Sequence, residues 1–180
     1  MKSIAFVITV SLISTAFQLG TAADSPAMQN LTEHPSGHVR IPLQVTENVK
    51  VAYQISDDKL KNGVSRALFY AEKLLNTYND NDVSDSEIDL HLVFHGDGTN
   101  ALVNAETRKR LGAEGGTENP NLALIDSLVD RGVSIELCES SMEQREVTSE
   151  HLADGVATVR GAFPRLIELQ LLGYAYIKFE

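Results

Sequence analysis

Segments with the two-residue period of a strand and segments with the 3.6-residue period of a helix take turns along the chain from Val49 onward. Val49-Lys50-Val51-Ala52-Tyr53-Gln54-Ile55 reads as the first strand. Leu60, Val64, Ala67, Leu68, Ala71, Leu74 and Leu75 then share one face of a long helix, which Ser56-Asp57-Asp58 caps. A second strand spans Ile88 to His95, where Ile88, Leu90, Leu92 and Phe94 alternate with Asp89, His91, Val93 and His95 until Gly96-Asp97-Gly98 breaks it. A short helix is predicted over 99–104, a polar loop over 105–118, and a helix opened by Asn119-Pro120 that buries Leu122, Ile125, Leu128 and Val129. Val133, Ile135 and Leu137 alternate with Ser134, Glu136 and Cys138 in a third strand. A fourth falls at Gly155 to Val159, a helix runs from Pro164 to Gly173, and Tyr174 to Phe179 is the last strand. This succession defines an α/β chain of parallel strands with helical crossovers, packed in layers.

One detail departs from the usual pattern. Strands covered on both faces read as continuous apolar runs, whereas three of these alternate. One face of the sheet is therefore only half apolar. Short helices, the N-terminal arm or a neighbouring subunit would have to cover it, and a homo-oligomer is expected.

The N-terminus lies outside this domain. Lys2, the apolar run from Ile4 to Phe17 and the small residues of Leu19-Gly20-Thr21-Ala22-Ala23 form a secretory signal peptide over residues 1–23, cleaved after Ala22 or Ala23. The run is too short to span a bilayer, so no membrane insertion is expected after cleavage, and the mature protein is expected to be periplasmic or secreted. Residues 24–47, with Pro26, Pro35, Gly37 and Pro42 among polar residues, read as an arm. Residues 48–180 form the domain. The formal charge of −10, which becomes −11 once Lys2 is removed, argues against nucleic acid or an anionic membrane as partner.

The chain has a single cysteine, Cys138. Export leads to an oxidising compartment, where an odd cysteine is a free reactive thiol or an intermolecular bridge. Its plainest alternative role is that of a small buried hydrophobe. Cys138 closes its strand, and Ser140 with Glu143 forms a capping box that starts a helix there. A thiol at the positive end of a helix ionises more readily. Glu136, Glu139 and Glu143 work against this, because nearby negative charge opposes thiolate formation. His95 also ends a strand and is the candidate helper; if the two strands adjoin, its imidazole could pair with the thiol. Its alternative role is to bond backbone at a tight turn. Ser140 and Ser141 are expected to cap the helix, Asp97 to shape the turn, and His91 to be an ordinary residue of the half-polar face. The spacing of His91, His95 and Cys138 matches no closed zinc pattern, and no dinucleotide or phosphate-binding fingerprint is visible. No metal and no cofactor are expected.

Three stretches carry a resemblance: Val93-Phe94-His95-Gly96-Asp97-Gly98; Gly132 through Cys138 with Ser141-Met142; and Gly161-Ala162-Phe163-Pro164-Arg165 through Gly173-Tyr174-Ala175-Tyr176-Ile177. Their order and spacing resemble the DsrE/DsrF-like family, which includes YchN-like and TusD-like proteins. The resemblance implies a three-layer, flavodoxin-like, mostly parallel sheet of about five strands, and assembly into homo- or hetero-oligomers. It also implies sulfur carried as a persulfide on Cys138 and passed between donor and acceptor proteins. The other reading is a non-catalytic oligomeric binding or structural module of unknown ligand, with Cys138 as a packing residue. Covalent dimerisation through the thiol is a third.

Overall fold

The computed structural model describes residues 32–33, 37–113 and 118–179. The chain divides into two compact units at Pro42. In the first, the two-residue strands β1 (Thr32–Glu33) and β2 (Val39–Arg40) pair antiparallel. The expected signal peptide lies outside the described residues.

The second unit holds the sheet. Its order is β8 (Ala157–Val159), β7 (Ser134–Cys138), β6 (Ile88–Phe94), β3 (Val49–Ile55), β9 (Ala175–Phe179), and each neighbouring pair is parallel. Three consecutive steps move the chain one way across the sheet. The last step, through helix α5 (Ala162–Leu171), carries it back past β3 to the opposite edge. Helices α1 (Arg66–Asn79) and α3 (Leu122–Asp130) pack on one face, with Leu68, Leu75, Ile125 and Leu128 buried against Leu90, Leu92, Phe94, Ile135 and Leu137. Burying one such side chain contributes about 1.5–3 kcal/mol, so this face is the main core. The other face carries α5, which buries Ala162, Leu166 and Leu169 against Ala52, Val93 and Cys138. The alternation seen in the sequence is the difference between these faces.

Three local expectations fail for identifiable reasons. The long helix does not begin at Leu60. Two-residue strands β4 (Leu60–Lys61) and β5 (Val64–Ser65) form a hairpin first. Asn62-Gly63 lies between them with φ of 53° and 86°, the left-handed pair that a two-residue hairpin turn demands. Asp57 accordingly caps no helix; its carboxylate accepts the Lys59 N–H at 3.2 Å and pairs with Arg66 at 2.9 Å. The stretch after Ala105 is not all loop: α2 (Ala105–Arg110) forms there, because the Asn104 side chain accepts the Thr107 N–H at 3.0 Å. The short helix expected at 99–104 is a 3₁₀ segment over Gly96–Ala101.

Candidate functional site

β6 and β7 are neighbours in register, with Phe94 opposite Leu137. The next residue of each strand is His95 and Cys138, so the two stand side by side at the carboxyl edge of the sheet. Helix α4 (Glu139–Gln144) begins directly after the cysteine, and Cys138 itself is its N-cap residue. The Ser140–Glu143 capping box does not form, because the helix starts two residues earlier than that motif requires. Ser141 does something else. Its hydroxyl accepts the Gly96 N–H at 2.9 Å and donates to the Cys138 sulfur. Gly96 has φ of 55°, a conformation that costs glycine nothing, and the His-Gly turn is tied to the thiol in this way.

The sulfur sits at a convergence of donors. Burial pushes the thiol up. The backbone N–H groups of Ser141, Ala162 and Ser140 and the Ser141 hydroxyl outweigh it and hold the thiol below its ordinary value. Ser140 and Ser141 lie in the first turn of α4, and Ala162 opens α5. Donors to the charged form lower a pKa even in an apolar setting. Cys138 is nevertheless only 5% exposed, packed beside Val93, Ala162 and Leu166.

His95 adjoins this thiol without bonding to it. Tyr176 donates its hydroxyl to Gln54 Oε1. Gln54 Nε2 donates to His95 Nε2 at 2.8 Å. Phe163 lies against the imidazole, with ring centroids 5.6 Å apart. Burial, and then the charge of Lys178, holds the imidazole below its ordinary pKa, so the neutral ring is favoured.

Farther down the same face lies a second polar group that sequence reasoning missed as a unit. Glu136 is 2% exposed. It accepts from His91 Nδ1 at 2.5 Å, Arg165 Nε at 2.8 Å and Ser134 Oγ at 3.0 Å. Burial raises its pKa, but these donors prevail and pull it down to about 2. His91 Nε2 reaches Asp89 at 3.1 Å, and Asp89 takes the Tyr174 hydroxyl. His91 is therefore part of a network, and not a bystander. Glu136 is compensated by Arg165 and His91, which removes much of its expected opposition to a Cys138 thiolate. Glu139 bonds Thr158, and Asp97 pairs with Arg145. Among the described residues no group of three His, Cys, Asp or Glu side chains is placed to hold a metal ion, and no helix is long and apolar enough to cross a membrane.

A parallel five-stranded α/β sheet with one lone thiol among backbone donors at its carboxyl edge defines the class of protein. The model of the DsrE/DsrF-like family matches residues 49–179, and the chain belongs to that family. A comparison with curated proteins finds no match. Among solved structures the chain is similar to MTH1491, a protein of unknown function from Methanobacterium thermoautotrophicum. Identity is 20% and the TM-score 0.55, over 73% of this chain and 99% of that one. It is also similar to the ychN protein of E. coli, at 17% identity and a TM-score of 0.51, over 73% of this chain and all of that one. At these identities the likeness is one of fold.

Proposed function

We propose that this protein is an exported sulfur carrier that holds sulfur as a persulfide on Cys138 and passes it between partner proteins. The observation that carries the reading is the set of donors at the Cys138 sulfur, which favours its anion although the site is buried. In the forward step the thiolate attacks the outer sulfur of a donor persulfide. A new S–S bond forms on Cys138, the donor's S–S bond breaks, and the donor leaves as a thiolate. Delivery repeats the exchange on an acceptor thiol. No electrons are gained or lost overall, so the relay needs no cofactor. The neutral His95 beside the sulfur supports the outgoing persulfide as a neighbour and not as a base. At 5% exposure the sulfur is not presented to a partner. Transfer therefore includes opening of the segment at Gly161–Ala162.

The same proposal includes a homo-oligomer. Phe163, Ile167 and Leu171 repeat every fourth residue on the outer side of α5 and are 63%, 58% and 84% exposed. A helical stripe of that kind is suited to a second copy. The rival reading, a binding module with Cys138 as packing, is favoured by the apolar neighbours of the thiol.

Alkylation rate against pH separates the two. A relay thiol reacts in the native protein, with a midpoint below that of a free cysteine, and Ser141→Ala moves the midpoint upward. A thiol that reacts only after denaturation contradicts the relay.

A further inference from the structure

On the face opposite α5, a groove of about 630 Å³ runs between α1 and the edge strand β9. Its origin is topological. β9 reaches its place through α5 on the other face, so no helix covers its α1 side, and Ile177 is left 41% exposed. The walls are aromatic: Tyr53, Tyr70, Tyr78 and Phe179. Tyr53 and Phe179 lie 4.9 Å apart, and Tyr70 lies 6.1 Å from Phe179. A volume in this range, lined by rings and a few polar groups, is that of a small-molecule site.

Two polar features point to what enters it. Tyr53 is only 3% exposed and lines the groove, yet its hydroxyl has no hydrogen-bond partner among the described residues. Its ring is buried while its hydroxyl opens onto the groove, which places the O–H to donate to what enters. Burial raises its pKa to about 12, so it remains a donor at neutral pH. Lys73 stands at the groove with no ion pair among the described residues.

We propose that this groove binds a small, flat aromatic anion, its rings against Tyr70 and Phe179, an oxygen accepting from Tyr53 and its charge beside Lys73. The site is on the other face from Cys138 and does not depend on the relay.

2-Naphthoate is a direct probe. The chain has no tryptophan and five tyrosines, three of which line the groove, so tyrosine emission reports occupancy. The full chain should show saturable one-to-one quenching, with 2-methylnaphthalene binding more weakly. Tyr53→Phe, which removes one oxygen, should weaken 2-naphthoate about fivefold, as expected for one hydrogen bond. Lys73→Gln should weaken 2-naphthoate but leave 2-methylnaphthalene unchanged. Glu150→Gln, an exposed side chain outside the groove, should change neither. Absence of saturation, or affinity indifferent to both Tyr53→Phe and Lys73→Gln, overturns the proposal. So does binding seen only on dilution, which gives the groove to a second copy. Methyl contacts from residues 24–42 to Leu74 or Ile177 in the free protein give it to the arm and overturn it equally.

Discussion

The two faces of the sheet are built on different principles. Under α1 and α3 the strands β3, β6 and β7 present Val, Leu, Ile, Phe and Tyr53, each at 6% exposure or less, as one hydrophobic core. Under α5 the same strands present Ala52, Gln54, Asp89, His91, Val93, Ser134, Glu136 and Cys138. Six residues make a small apolar patch there, and an ionic network occupies the rest. A parallel sheet can hold its fold with one face. The second is then free to carry charge, a neutral imidazole and a thiol, provided each polar group is paired.

The sharpest way to break this division is to cut the apolar face. Leu92→Ala removes a side chain of 0% exposure and should cost about 3 kcal/mol, read as a lower urea midpoint. The other face should respond to pH. Glu136 titrates near 2 when folded and near its ordinary 4.5 when unfolded. The unfolded chain therefore binds the proton first as pH falls. The stabilisation is complete above about pH 5 and is lost between there and pH 2, roughly 3 kcal/mol in all. Glu136→Gln should flatten that acid limb and cost about 2 kcal/mol at pH 7, since His91 and Arg165 lose their anion. Cys138→Ser should cost about 1 kcal/mol while abolishing every thiol reaction. Smallest of all, Ile167→Lys should leave the unfolding midpoint within about 0.5 kcal/mol but shift sedimentation toward the monomer. A monomeric parent protein would remove the oligomer from the account.

Much of the first face was legible because its signal is local. Val49–Ile55 runs over the residues that alternation assigns it, and the other strands agree within two residues. The hairpin at Asn62-Gly63 was missed because Leu60 and Val64 also fit the helical face of α1. α2 was missed because its six residues are nearly all polar and only the Asn104 cap marks it. The site was legible as a position and not as an environment. Cys138 closes its strand, as expected, and the adjoining strand that ends at His95 was only a condition in the sequence reading. The ionisation of Cys138, however, depends on backbone N–H groups, one of them from Ala162, far along the chain. Side-chain types cannot announce such donors. Likewise, Glu136 looks like a threat to the thiolate until Arg165 is brought over it by the crossover through α5. A charged residue in mid-strand, on the half-polar face, was the available clue.

The central claim is that Cys138 carries sulfur. Intact mass of the native protein, after a polysulfide donor and then an alkylating agent, tests it most directly. The account predicts a gain of one sulfur atom, confined to Cys138 and absent from Cys138→Ser. A thiol that stays unmodified and unalkylated until the protein is denatured would contradict it.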